Sequence, residues 1–302
     1  AHTPFYAESG GQVGDTGTMA AFDGQATVHD TRKPVGDIIV HYAKVSAGQI
    51  SIRDAVRVAV HVDRRLDIMR NHTATHLLHA ALRHVLGSHV RQAGSLVAPD
   101  RLRFDFTHVE AVSQEELDQI ETIVNDSVRG DLALVKLQES YREATGRGAL
   151  AFFDERYGES VRTVQIGEAL PVSFELCGGT HLDRTGQIGT FRLISENSVG
   201  TGVRRIEAVT GRGGEAWVSE RLHLLDQVSA KLHAAPGEAP QRIDALLSQV
   251  EEARRAVTAA QRESSKSEAE DLLAKAQEVN GVTVLATEAS APDMDALREL
   301  GD

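Results

Sequence analysis

The 302-residue sequence contains a single cysteine, few aromatic residues (4%) and no long apolar run. Because Cys177 is alone, an intrachain disulfide is excluded, and a reducing compartment such as the cytoplasm is expected. The lack of about 18 consecutive apolar residues excludes a membrane-spanning helix. The sequence also lacks an initiator Met and a basic start followed by an apolar stretch. We therefore predict no signal peptide and expect an excised or processed segment.

A net positive charge is lacking as well. The formal net charge is −12, which argues against a nucleic-acid partner. Residues 1–214 carry 23 Lys/Arg and 27 Asp/Glu, a net charge of −4, so most of the net negative charge lies in residues 215–302. Residues 61–103 reverse the balance, with seven arginines against three aspartates. Such a zone can bind phosphate groups, although a solvated surface with scattered arginines explains it equally well.

The pattern of apolar residues predicts an α+β fold. Residues 4–60 are rich in glycine at the start and alternate in polarity near their end, which is typical of β-structure. Residues 64–85 carry apolar residues at three- and four-residue steps, which predicts a helix. Ser113 with Glu116 forms a capping-box pattern at the start of a second helix. Further strands are predicted within four ranges, namely 96–108, 132–138, 161–176 and 188–210.

The last third of the chain has a different composition. Helices are predicted near residues 215–233 and 241–278, and the second carries an apolar stripe close to a heptad repeat. This pattern indicates a helical hairpin or a partner-binding arm, through which the chain could self-associate. A strand-like run follows at residues 282–285. Because so few residues remain after it, we interpret residues 279–302 as the start of another domain.

Two pairs of residues have the spacing of metal ligands. His72 and His76 stand four apart in the predicted helix and therefore project from one face. The motif CGGTH at residues 177–181 supplies Cys177 and His181, and its glycines allow a tight turn. Together they form a His₃Cys set, which zinc accepts in tetrahedral geometry. Two alternatives are a Cys177 nucleophile with a histidine base and a buried cysteine with unrelated histidines.

The same helix also limits the chemistry. No glutamate follows His72, so the arrangement of zinc metalloproteases is absent and peptide hydrolysis is disfavoured. His79 continues the helix and is a possible third helical ligand. A core position, or a position behind the ligands, is the stronger interpretation for it.

Several motifs together resemble the editing region of alanyl-tRNA synthetases. They are FYAESGGQVGD at residues 5–15, NHTATHLLH at 71–79, QAGSLV at 92–97, LRFDF at 102–106, CGGTH at 177–181 and GVRRIEAVTG at 202–211. The core of threonyl-tRNA synthetases is similar in its histidine and Cys/His pairs. The glycine motif and the segments beginning at Gln92 and Gly202 favour the alanyl family.

The resemblance implies a domain order and a set of site residues. It implies a small glycine-rich β-barrel (residues 1–62), an editing core (63–214), a helical arm (215–278) and the start of a C-terminal domain (279–302). It further implies Zn²⁺ at the four ligands His72, His76, Cys177 and His181. The editing-site threonine and glutamine of the family fall on Thr75 and Gln92. Arg204 and Arg205 are weaker candidates for contacts with tRNA phosphates, a solvated strand-edge pair being the alternative.

The implied activity is hydrolysis of the ester in Ser-tRNA(Ala) and Gly-tRNA(Ala). We find no adenylation domain in the sequence, so we expect no ATP-dependent activation of alanine by this chain. Four protein ligands would saturate a tetrahedral zinc ion. The sequence therefore leaves open whether zinc activates water or positions the substrate. Two other functions remain open, a free-standing trans-editing deacylase and a structural zinc domain that binds tRNA.

Overall fold

The computed structural model describes residues 2–151, 158–286 and 288. The chain forms two compact units, Ala1–Glu220 and Arg221–Asp302. Both α-helices and β-strands are present, which confirms the predicted α+β class. Within the described residues, none of the helices combines the length and the apolar character needed to cross a lipid bilayer.

The first unit opens with a glycine loop, residues 8–17, followed by an antiparallel sheet. The strands are β1 (Gly17–Ala20), β2 (Gly24–Val35), β3 (Ile38–Gly48) and β4 (Arg57–Val60). Their order in the sheet is β3-β2-β1-β4. The expected small barrel is therefore corrected, because β3 and β4 are the two edges of an open sheet among the described residues. β4 has four residues and β3 has eleven, and barrel closure needs edge strands that can pair with a consistent stagger.

Helix α1 (Val62–Leu86) forms the centre of the first unit. Its N-cap is His61, whose Nδ1 accepts a hydrogen bond from the Arg64 amide at 3.2 Å. Its C-cap is Gly87, whose φ of 114° favours glycine. The predicted range of 64–85 is confirmed and lengthened slightly. Residues 71–79 of this helix are all buried, so polar side chains in this stretch must find partners inside the protein.

A second antiparallel sheet packs against α1. Its strands are β5 (Gln92–Val97), β6 (Leu102–Thr107), β10 (Phe191–Gly200) and β11 (Val203–Thr210). The order is β10-β11-β6-β5. Alternate residues of β6 and β11 enter the core, among them Phe104, Phe106 and Ile206. Helix α2 (Gln114–Arg129) covers the same core, and its capping box of Ser113 and Glu116 forms as predicted.

A third sheet carries the segment that leads to Cys177. It consists of β7 (Leu134–Ser140), β8 (Ser160–Ile166) and β9 (Ser173–Leu176) in that order. Helix α3 (Tyr141–Gly146), which the sequence did not predict, follows β7. It is a six-residue helix, too short for a recognisable period. A 3₁₀ helix (Thr185–Ile188) follows the CGGTH motif.

Two long helices and a small hairpin follow in the described part of the chain. They are α4 (Gly211–Leu232), α5 (Ala239–Leu273), β12 (Gln277–Val279) and β13 (Val282–Val284). α5 ends before the predicted residue 278, because residues 277–279 pair with β13 through a turn at Asn280 and Gly281, both with positive φ. The apolar stripe of α5 is largely exposed, so self-association through this arm stays a prediction. Most residues after 286 lie outside the described part of the chain.

Candidate metal centre

Helix α1 places His72 and His76 one turn apart in the interior of the first unit. Both imidazoles are buried, with 6% of each residue exposed. Their rings are stacked, with centroids 5.5 Å apart and planes within 11°. Both rings therefore face the same side of the helix, as the spacing of four residues predicts.

The CGGTH loop (residues 177–181) brings the other two candidate ligands to these rings. The Cys177 Sγ lies 3.3 Å from His72 Nε2 and 3.2 Å from His181 Nε2. The His181 ring lies 4.2 Å from that of His72 and 4.9 Å from that of His76, measured between centroids. One candidate ligand atom from each of the four residues lies within 4.8 Å of the others. We call these four residues the His₃Cys cluster.

Each imidazole of the cluster is held from behind through Nδ1. His72 Nδ1 lies 2.7 Å from Gln12 Oε1, and His76 Nδ1 lies 2.6 Å from Glu175 Oε2. His181 Nδ1 lies 3.3 Å from the Thr73 hydroxyl. Bonds of this type fix the ring orientation of histidines that bind metals through the other nitrogen. All three Nε2 atoms are thereby left for the centre of the cluster.

Glu175 links the cluster to a fourth histidine. Its Oε1 lies 2.9 Å from His79 Nδ1, so one buried carboxylate bridges His76 and His79. His79 therefore lies behind the ligands, as the stronger of the two sequence interpretations expected. Ser173 also donates its hydroxyl to this carboxylate at 3.2 Å.

The charges inside the cluster oppose one another. Burial raises the pKa of the Cys177 thiol, but the neighbouring His72, His181 and His76 outweigh it and hold that pKa well below the usual value. Burial lowers the pKa of His76, but Glu175 and Cys177 outweigh this effect and raise it to about 10. Burial, followed by the charge of His72, lowers the pKa of His181 to about 3. The cluster thus favours a thiolate and a neutral His181, both of which are metal-ligand states.

The donor set fits a zinc ion. One thiolate and three imidazoles are soft and borderline ligands of the type that zinc takes in tetrahedral sites. His76 Nε2 is buried and has no hydrogen-bond partner among the described residues, an arrangement that is costly unless something binds it. A Cys177 nucleophile would need one imidazole as its base, whereas three converge here. The geometry therefore favours the metal interpretation over the nucleophile.

A cavity of about 250 Å³ opens beside the cluster. His72, His76 and Cys177 form part of its wall, together with both predicted editing residues, Thr75 and Gln92. The structure thus brings three candidate ligands and the two predicted editing residues to one cavity. Gln92 reaches it from β5, a different element from the helix that carries Thr75. The Thr75 hydroxyl donates to the Asn71 carbonyl at 2.8 Å. Its oxygen consequently keeps lone pairs that can accept a hydrogen bond.

The two arginines predicted to contact tRNA lie on β11 and are paired with carboxylates. The guanidinium of Arg204 binds both oxygens of Glu196, at 2.5 and 2.6 Å. Arg205 binds both oxygens of Asp105, at 2.7 and 2.8 Å. Neither residue is among those that line the cavity. Because both charges are compensated in this way, their contact with phosphate stays a prediction.

Sequence reasoning did not find the residues behind the ligands. Gln12 lies in the glycine loop, which the sequence indicated only as the glycine-rich start of the β-structure and as a motif of the resemblance. Glu175 lies two residues before Cys177, on the same side of an extended segment, and this period of two was the available signal. Thr73 gave no signal, because its role depends on where the loop returns to the helix.

Two families of known proteins match parts of the first compact unit. Residues 161–207 match the family described as "Threonyl and Alanyl tRNA synthetase second additional domain". Residues 1–64 match the family described as "tRNA synthetases class II (A)". Both matches lie in the first compact unit and together include Gln12, Glu175 and the CGGTH loop.

Several known proteins are similar to this chain over nearly its whole length. The chain is 48% identical to an alanine–tRNA ligase of Chloroflexus aurantiacus over an alignment of 309 positions, which covers 99% of this chain and 35% of that protein. It is 47% identical to an alanine–tRNA ligase of Roseiflexus sp., with the same shares. For the enzyme of Pelotomaculum thermopropionicum the identity is 48%, over 99% of this chain and 34% of that protein. The chain spans about a third of the length of these relatives, and as such a segment it belongs to the alanyl-tRNA synthetase family.

Proposed function

We propose that this chain is the proofreading part of an alanyl-tRNA synthetase, which hydrolyses the ester of Ser-tRNA(Ala) and Gly-tRNA(Ala). The observation that carries the proposal is the cavity, because it joins the His₃Cys cluster to Thr75 and Gln92. Its volume of about 250 Å³ lies just below the range of about 300–1,000 Å³ that is usual for small-molecule sites. A cavity of that size suits an aminoacyl group on the end of a larger substrate.

A separate proofreading site answers a physical limit on selectivity. An alanine pocket discriminates against a missing methylene or an added hydroxyl by only about 10–200-fold. A site that hydrogen-bonds the serine hydroxyl can reject alanine by about 10⁴–10⁵-fold, because alanine leaves polar groups unpaired. Hydrolysis at such a site would remove serine and spare the correct product.

Thr75 has the chemistry for recognising that hydroxyl. Its own proton is engaged by the Asn71 carbonyl, so its oxygen acts as an acceptor at the cavity wall. The serine hydroxyl, or a water molecule, would donate to it. Alanine has no such donor, and neither has glycine, so this contact accounts for the recognition of serine alone. Gln92, on the wall formed by β5, carries both a donor and an acceptor that would orient the aminoacyl group.

The His₃Cys cluster would hold zinc beside the ester. When bound there, zinc would supply a positive charge that polarises the substrate or its attacking water. The residues themselves hold the thiolate at Cys177 and keep His76 and His72 oriented through Glu175 and Gln12. They also keep the site largely dry, since the histidines of the cluster are buried.

The partner would be tRNA(Ala), through its aminoacylated 3′ end. The cytoplasm, where charged tRNA is used, is the location that goes with this role. A trans-editing deacylase of the same family and a structural zinc module that binds tRNA are the competing functions. The first would share the hydrolysis of Ser-tRNA(Ala), and the second would lack it.

Deacylation of purified tRNA separates the hydrolase from the binding module. The full chain, loaded with Zn²⁺, should hydrolyse Ser-tRNA(Ala) and leave alanyl and threonyl control substrates intact. Cys177→Ala should abolish this activity and leave the circular-dichroism spectrum unchanged, because Cys177 only borders the hydrophobic core. Unchanged deacylation by Cys177→Ala would contradict the site assignment. Binding of tRNA without hydrolysis by the unsubstituted chain would instead support the structural module.

A further inference from the structure

Gln12, in the N-terminal glycine loop, connects three parts of the chain that are far apart in sequence. Its side chain is completely buried. Oε1 lies 2.7 Å from His72 Nδ1 and accepts the backbone N–H of Thr180 at 2.8 Å. Nε2 donates to the Thr180 hydroxyl at 2.9 Å. One amide therefore contacts both the ligand-bearing helix and the CGGTH loop.

These contacts determine which nitrogen of His72 carries the proton. A backbone N–H can only donate, so the Gln12 atom that faces Thr180 N is the oxygen. The same oxygen faces His72 Nδ1, which must therefore be the protonated nitrogen. In the neutral imidazole, the form that binds a metal, His72 Nε2 then carries the lone pair, and it lies 3.3 Å from Cys177 Sγ. Gln12 thus selects the tautomer that a metal ligand needs.

The glycine loop holds Gln12 firmly at this place. Val97 of β5 donates its N–H to the Gly11 carbonyl at 2.8 Å, and Val13 donates to the Val97 carbonyl at 3.1 Å. Gly11 has a φ of 85° and lies so close to Ser95 that a Cβ would collide with its carbonyl oxygen. The loop is therefore anchored to β5 on both sides of the Gln12 side chain.

The CGGTH loop also packs closely against Gln12 and His72, at Gly179. A Cβ on Gly179 would lie 2.8 Å from Gln12 Oε1 and would overlap the His72 ring. Only glycine allows the CGGTH loop to approach the helix so closely at this point. Gln12, His72 and the loop are thus in close contact at Gly179.

We infer that Gln12 is a positioning residue of the metal centre, which makes zinc binding depend on the N-terminal glycine loop. It orients His72 by accepting from Nδ1, and it holds Cys177 and His181 in place through Thr180. This inference rests on the proposed metal site but not on the proposed deacylase activity. Loss of such a partner behind a ligand typically weakens metal affinity by about 10–100-fold.

The test compares metal binding by the full chain with four variants. Gln12→Leu removes all three hydrogen bonds, whereas Gln12→Glu keeps an acceptor for His72 and for Thr180 N–H. Thr180→Val removes only the bond from Gln12 Nε2. Gln25→Leu repeats the first substitution at an exposed glutamine of β2 and serves as the matched control. Zn²⁺ affinity is measured by chelator competition, Co²⁺ absorption reports the coordination geometry, and circular dichroism of the apoprotein reports folding.

The expected order of affinities is specific to the inference. Gln12→Leu should bind Zn²⁺ about 10–100-fold more weakly and give an altered Co²⁺ spectrum. Gln12→Glu and Gln25→Leu should stay within about threefold of the unsubstituted chain, and Thr180→Val should fall between. Should Gln12→Leu fail to fold, Gln12→Glu and Thr180→Val still decide the matter.

Two results would overturn the inference. One is a Gln12→Leu affinity and Co²⁺ spectrum equal to those of the unsubstituted chain. The other is a Gln12→Glu variant that folds yet binds as weakly as Gln12→Leu is expected to. A chain that binds neither ion without any substitution would instead overturn the metal site itself. Zinc binding without deacylation would leave the role of Gln12 intact and contradict only the proposed function.

Discussion

The two glycines of the CGGTH loop offer a sharp test of the metal centre. In Gly179→Ala the added methyl would lie 2.8 Å from Gln12 Oε1 and still closer to the His72 ring. Gly178→Ala meets no protein atom within 4 Å. Neither glycine has a positive φ, so alanine can adopt both backbone conformations. The two variants therefore differ in steric contact and not in backbone strain.

The magnitude of the Gly179→Ala effect follows from these contacts. Carbon atoms in contact normally lie about 3.5–4.0 Å apart, whereas the added methyl would lie 2.0 Å from the nearest carbon of the His72 ring. His72 or the loop must therefore move by roughly 1.5–2 Å. Overpacking of this kind costs about 1–3 kcal/mol of folding free energy. The move would also break the bond between His72 and Gln12. We expect Zn²⁺ affinity to fall at least about tenfold. The proposed deacylation of Ser-tRNA(Ala) should fall at least roughly 100-fold, the loss that a misplacement of about 1 Å can cause.

Chelator competition and thermal unfolding of both alanine variants form the assay. Gly178→Ala should keep the Zn²⁺ affinity of the unsubstituted chain, whatever its effect on substrate in the cavity. The reasoning would be refuted if Gly179→Ala bound Zn²⁺ normally. Equal losses in the two variants would refute it as well, because the steric difference would then have no consequence.

Two further predictions concern the charges around the cluster. Glu175→Gln should weaken Zn²⁺ binding by about 10–100-fold, since it replaces the anion behind His76. The control Glu168→Gln, at an exposed position, should leave the Zn²⁺ affinity unchanged. Equal affinities of the two variants in a chelator titration would contradict the role of Glu175. The second prediction concerns protons: the pKa of His76 is raised to about 10, so its imidazole is protonated at neutral pH. Cys177 is held as a thiolate, and the pKa of His181 is lowered to about 3. Zinc binding at neutral pH should therefore displace about one proton, from His76. The Zn²⁺ affinity should then rise with pH until His76 has lost its proton. Calorimetry in buffers of different ionisation enthalpy measures the number of protons released. A Zn²⁺ affinity that does not change with pH would exclude the release of a proton from His76.

The sequence predicted well what depends on local geometry. The period of residues 64–85 predicted α1, and the four-residue spacing placed His72 and His76 on one face, because a helix brings such positions together in any context. The capping box at Ser113 was confirmed for the same reason. The glycines of residues 177–181 indicated a tight turn that presents Cys177 and His181.

The barrel expected from the resemblance was wrong for a reason the sequence does not show. Strand length and alternation predict strands, but closure depends on which edges meet. The pairing of Arg204 and Arg205 with carboxylates was hidden similarly, since Glu196 and Asp105 face them only across neighbouring strands.

The amino-acid sequence alone determined the four candidate ligands, the α+β class and the family resemblance. The tertiary structure decided how the ligands are held, because their supporting partners come from distant segments. Gln12 lies 60 residues from His72 and 168 from Thr180, and Glu175 lies 99 from His76. Local propensity carries no information on such separations. Packing of the glycine loop and β9 against α1 brings these partners into hydrogen-bond distance, and that packing gives the site its geometry.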